Sequence, residues 1–208
     1  MIDHTALITY ILIVLGFVFI PGPATLLTMA RAASSGTRVG IATGAGIAAG
    51  DVVHTTMAIV GLSAIIATSA LLFSVVKYAG AGFLIYLGIR AILDKAPLEV
   101  NGGAPAISAA RAFRQAVLTE VLNPKTALFF LAFLPQFVRP EHGSTTLQLA
   151  LFGAAFVLLG LVSTVVFAVG AGRLGNLLRR HPAVVKWQGK VVGTIYCAIG
   201  VRLALQER

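Results

Sequence analysis

The sequence is short of charge and nearly empty of cysteine. Charged residues make up 11% of its 208 positions, while 58% are apolar and the mean hydropathy is +0.93. A water-soluble fold needs about a quarter of its residues charged to cover its surface, so a soluble protein is excluded, as are disorder and collagen. The single cysteine, Cys197, lies inside an apolar stretch, which rules out an intramolecular disulfide or a dithiol relay. Enzyme signatures are missing too. There is no HExxH, no GxSxG and no Walker lysine loop, and there is one intramembrane aspartate where an intramembrane aspartyl protease needs two. The expectation is a non-enzyme without a cofactor. Met1-Ile2-Asp3-His4 holds no Lys or Arg ahead of the first apolar run, so a cleaved signal peptide is not expected.

What is present is a succession of apolar runs. About 20 helical residues cross roughly 30 Å of hydrocarbon, and the runs fall at about 6–30, 40–67, 71–93, 113–138, 146–171 and 187–205. The chain therefore reads as an all-α membrane protein of six transmembrane helices, one transporter-like domain over 1–208. Its one substantial linker, 94–112, is polar and turn-rich, with Asp94, Pro97, Asn101, Gly102, Gly103 and Pro105.

The net charge of +9 does not point to nucleic acid, because the Lys and Arg residues sit in the gaps between runs. Eleven of the sixteen, from Arg31 and Arg38 through Arg90, Arg111 and Arg114 to Arg179 and Lys190, lie in the odd-numbered connections. The positive-inside rule places those connections in the cytoplasm and both termini outside. Lys125 is left inside a span.

The two halves echo one another. Lys77-Tyr78-Ala79-Gly80 opens the third run and Lys186-Trp187-Gln188-Gly189 the sixth; Ile85-Tyr86 with Gly88 and Arg90 returns as Ile195-Tyr196 with Gly200 and Arg202. Pro21-Gly22-Pro23 interrupts the first helix and Asn123-Pro124-Lys125 the fourth. Three spans repeated must be inverted, so the expectation is a 3+3 inverted repeat with helices 1 and 4 broken, over about 6–93 and 113–205. Chance likeness between two apolar helices is the competing account.

Proline removes a helical donor and frees the carbonyl four residues earlier, here those of Phe17, Phe19 and Glu120. Neighbouring helices must satisfy these groups, or they line a wet cavity. At 1.5 Å per residue, Pro23 lies about 12 Å from Arg31 and Pro124 about 15 Å from Arg114, so both breaks come near mid-membrane. A packing kink explains a lone proline; two breaks at one level suggest a site.

Asp51 ends a small-residue stretch, Gly40 to Gly50, and its charge is costly at mid-membrane unless paired or wet. His54, three residues on, suits a metal site or proton relay with Asp51; a hydrogen bond within the bundle is the other reading. Glu120 and Lys125 flank the second break and either neutralise each other or serve a ligand. Lys125 begins the half-helix after the break, where free N–H groups favour an anion such as a carboxylate. Asp51, Glu120 and freed carbonyls suit an ammonium group, which makes the midplane complementary to a zwitterion. Tyr10, Tyr78 and Trp187 read as interface anchors, and the aromatic run Phe129–Phe137 as lipid-facing bulk.

Pro21-Gly22-Pro23, the Gly-rich stretch ending Gly50-Asp51 with His54, Lys77 with Gly80 and Tyr86-Leu87-Gly88, and Asn123-Pro124-Lys125 with Phe133-Leu134-Pro135-Gln136-Phe137 together resemble the LysE/RhtB amino-acid exporter family over nearly the full chain. The resemblance implies a bacterial inner-membrane carrier that expels an amino acid or close derivative, driven by the proton gradient or membrane potential. The expected substrate site is Pro21, Gly22, Pro23, Asp51, Asn123, Pro124 and Lys125, with Asp51, His54 and Glu120 for coupling. The expected partners are an amino-acid substrate and the bilayer, with homo-oligomer formation open and no nucleic acid. The alternative is a divalent-metal carrier using Asp51 and His54.

Overall fold

The computed structural model describes residues 4–19, 22–68, 70–93 and 106–180, and isolated positions between 187 and 205. Every described element is helical. They are α1 (His4–Phe19), α2 (Pro23–Ser35), α3 (Thr37–Thr68), α4 (Ala70–Leu93), α5 (Ala109–Val121), α6 (Pro124–Leu128) and α7 (Thr145–Arg180), with short wide and tight turns between α6 and α7.

Both expected breaks are present. Gly22 caps α2 in an extended conformation and Pro23 takes the first helical position, where its missing N–H costs nothing. Asn123 caps α6 the same way ahead of Pro124, its side chain accepting from Lys125 N at 3.0 Å. The α1–α2 pair bends by 47° and the α5–α6 pair by 48°. Pro21 itself lies outside the described residues, as does most of linker 94–112. Gly36, with φ of +91°, turns the chain from α2 into α3, a backbone conformation that side chains disfavour.

After α6 the helix widens over Phe129–Phe133, where Leu134 N–H reaches back to the Phe129 carbonyl, then tightens over Leu134–Phe137. Pro135 explains the change of pitch, since it cannot donate to the carbonyl of Leu131. Within this segment Phe129, Phe130 and Phe133 turn inward and are buried. They pack with Phe17, Phe152 and Phe156, Phe17 and Phe129 lying 4.5 Å apart and Phe129 and Phe156 4.9 Å. The expectation of lipid-facing bulk fails here, because a run with aromatics on several faces cannot by itself say which face meets protein. Tyr10 is corrected likewise. It is fully buried against Phe152 and donates its hydroxyl to the Phe152 carbonyl at 2.9 Å, whereas Tyr78 and Trp187 are exposed.

Helix α3 is the centre of the bundle, packing on α2, α5 and α7. Its glycines permit this. A Cβ on Gly44 would fall 2.6 Å from Thr164 Oγ1 of α7, and one on Gly50 2.6 Å from Glu120 Cβ of α5. Among the described residues one unbroken helix, Thr145–Ala171, is long and apolar enough to cross a membrane, and each bent pair qualifies when taken as one span. Six spans are thus not reached on the described residues. Helix α3 has the length, 32 residues, but Gly, Thr, Asp and His interrupt its apolar run; Asp51, His54 and Thr55 are buried while Val52, Met57 and Val60 are exposed. The run at 187–205 lies largely outside the described residues. Where it is seen, Gly88 of α4 and Gly200, paired in the internal echo, sit at close crossings: Cβ atoms there would fall 2.5 Å from Cys197 Sγ and 2.8 Å from the Ala81 carbonyl.

Candidate functional site

The two breaks meet at one cavity of about 50 Å³. Gly22 lines it from the first break, Asn123 and Lys125 from the second, and Asp51 and Glu120 from α3 and α5. Their common level has an independent support. Arg31 Nη2 donates to Gln115 Oε1 at 2.9 Å, and the two residues stand eight and nine positions, about 12 and 14 Å, from Pro23 and Pro124 respectively.

Glu120 and Asp51 are both buried, 2% and 3% exposed, but their surroundings differ. Glu120 braces the second break. Asn123 Nδ2 donates to its two carboxyl oxygens at 3.1 and 3.2 Å, and Thr126 Oγ1 donates to Oε1. Asp51 Oδ1, by contrast, is a buried polar atom with no hydrogen-bond partner among the described residues. Leaving such an atom dry and unpaired costs on the order of 1–3 kcal/mol or more, so the fold has no reason of stability to keep it. Both carboxyl groups line the same cavity. Lys125 completes the set, with Nζ 4.1 Å from the centre of the Phe17 ring.

His54 is placed differently from the other expected residues. It does not line the cavity; its Nε2 lies 2.8 Å from the Glu120 carbonyl, which also accepts from Asn123 N at 2.9 Å. The carbonyl freed by Pro124 is therefore satisfied by a neighbouring helix. At the first break, Ser163 Oγ of α7 donates to the Val18 carbonyl at 2.7 Å. Among the described residues no group of three His, Cys, Asp or Glu is placed to hold a metal ion.

Several lining residues escape sequence reasoning. Thr25 and Thr126 each stand two positions after the proline of their break, a Pro-x-Thr spacing common to both halves that would have found them. Phe156, Gly160 and Thr164 enter from α7, where an almost uniformly apolar sequence marks no face.

Comparison with known proteins agrees with a membrane carrier. Residues 15–207 match the LysE type translocator family. A membrane protein of Vibrio cholerae is 30% identical over 197 residues, covering 95% of each chain, and one of Bacillus subtilis is 30% identical over 209 residues, covering 96% of this chain and 99% of its own. The homoserine/homoserine lactone efflux protein of Salmonella typhimurium is 29% identical over 184 residues, 88% of each chain. No solved structure matches. With a broken-helix cavity at its centre and a family match across nearly its whole length, the chain belongs to the LysE type translocators, membrane proteins of the efflux type.

Proposed function

We propose that the protein is a secondary-active exporter of a small amino acid or close derivative across the bacterial inner membrane, working by alternating access around the cavity between the two breaks. The observation that carries this reading is the gathering of Asp51, Glu120 and Lys125 at the level where both helices are interrupted. Lys125, at the start of α6, takes the substrate carboxylate, and Asp51 takes the ammonium group. Asp51 also carries the coupling proton, shared with Glu120 while the site is empty of substrate, so that proton and ammonium exchange at one carboxyl group. His54 holds the break rather than relaying the proton.

The architecture in this reading is the 3+3 inverted repeat of six spans, with positive connections in the cytoplasm and both termini outside. The common Pro-x-Thr at the two breaks supports the repeat, and the Arg31–Gln115 bond supports their shared level. The substrate is a compact zwitterion. Among the described lining residues Lys125 is the one cation, opposite the carboxyl groups of Asp51 and Glu120, with threonine hydroxyls and apolar side chains such as Phe17, Ile47 and Phe156 between them, and homoserine, which the Salmonella typhimurium relative exports, is such a zwitterion. A volume of about 50 Å³ holds on the order of three to five waters, less than an amino acid, so this form must widen to load.

The test is counterflow in proteoliposomes holding the full-length protein, against a panel of the standard amino acids, homoserine and homoserine lactone. Flux of at least one panel member, accelerated by a pH gradient, is expected; a protein that moves none of them, or whose flux ignores the gradient, sinks the respective half of the reading.

A further inference from the structure

Buried glycines in this bundle answer to one of two needs, and Gly160 of α7 stands apart. At Gly40, Gly44, Gly46, Gly50 and Gly153 an added Cβ would strike a neighbouring helix: Ala32, Thr164, Phe113, Glu120 and Thr55 respectively. Those positions are glycine so that helices can touch. Among the described residues a Cβ on Gly160 would meet one atom within 4 Å, Asp51 Oδ2 at 3.4 Å, although the residue is buried and lines the cavity. Glycine in mid-helix is less favourable than alanine, and here no helix contact compensates for it. What the missing methyl leaves is space in front of a carboxylate.

That space lies beside the carboxylate oxygen an ammonium group would bond. A charged nitrogen bonded to a carboxylate oxygen sits about 2.8 Å from it, whereas a methyl carbon needs about 3.5–4.0 Å from any other heavy atom. A methyl 3.4 Å from Oδ2 would be in van der Waals contact with that oxygen and would take up room beside it that a bound nitrogen needs. We infer that Gly160 is a specificity-determining residue that sets the width of the approach to Asp51, so that the site accepts a compact cation such as a primary ammonium group. The inference rests on the reading of the cavity as the substrate site.

The experiment compares wild type, Gly160→Ala, Gly61→Ala and Asp51→Asn as purified full-length proteins in proteoliposomes, using the panel of standard amino acids, homoserine and homoserine lactone. Gly61 is exposed with nothing within 4 Å of an added Cβ and serves as the control. The expected result is a KM raised about tenfold or more in Gly160→Ala for the compound that wild type carries, with an unfolding midpoint no lower than wild type and Gly61→Ala unchanged. A wild-type KM in Gly160→Ala, a change confined to maximal rate, or loss of folded Gly160→Ala protein overturns the inference while an inactive Asp51→Asn leaves the site standing. Wild-type flux in Asp51→Asn, or no panel compound carried, overturns both.

Discussion

The imidazole Nε2 of His54 lies 2.8 Å from the carbonyl oxygen of Glu120, the acceptor that Pro124 deprives of its usual helical donor. One side chain on α3 thus tethers the broken helix at the point where it is weakest, and its ring stacks beside Phe130 at 6.0 Å.

Replacing that tether tests its role. His54→Ala should lower stability by about 1–3 kcal/mol, since it leaves a buried carbonyl one donor short, and His54→Gln should recover part of the loss. Denaturation in detergent measures both. A variant as stable as wild type would show that Asn123 N alone satisfies the carbonyl.

Asp51→Asn keeps the volume of the side chain and removes its charge. Counterflow should vanish while the folded state persists at equal or greater stability, because Asp51 Oδ1 has no hydrogen-bond partner among the described residues to lose and the amide needs no proton shared with Glu120. Lys125→Met should raise KM by about tenfold or more, with less effect on folding than on flux. Normal transport in either variant removes that residue from the site.

Gly50→Ala and Gly61→Ala make a matched pair on α3. The first places a methyl 2.6 Å from Glu120 Cβ and should destabilise by about 1–3 kcal/mol through overpacking, displacing Glu120 from Asn123 and Thr126; the second meets nothing. Equal unfolding midpoints would contradict the close α3–α5 crossing.

Tyr10→Phe deletes the hydroxyl bonded to the Phe152 carbonyl and leaves the ring packing intact. A loss of about 0.5–1.5 kcal/mol is expected, with substrate KM unchanged because Tyr10 does not line the cavity. A KM shift would mean that the aromatic cluster reaches the site.

Pro23, Pro124, Asp51, Glu120 and Lys125 were legible as candidates from the chain alone, because a proline or a charge in an apolar run is a chemical exception wherever the neighbours lie. Tyr10 and the Phe129–Phe133 run were misread for the opposite reason: an aromatic ring is equally at home against lipid or against other rings. His54 had two readings, and the structure gives it a backbone acceptor outside the cavity. Gly160 and Thr164 carried no signal at all, since α7 is apolar around most of its circumference.

Composition and chain chemistry by themselves determined that this is a helical membrane protein, where its helices must break, and which ionisable groups must be sheltered from lipid, since those follow from the cost of exposing polar groups to hydrocarbon. Tertiary structure alone decided that Glu120 is held by Asn123 and Thr126 while Asp51 keeps an oxygen unpartnered, and that α7 contributes the gap at Gly160. Such assignments depend on which faces of separate helices meet, and hydropathy, nearly uniform around α3 and α7, does not encode that choice.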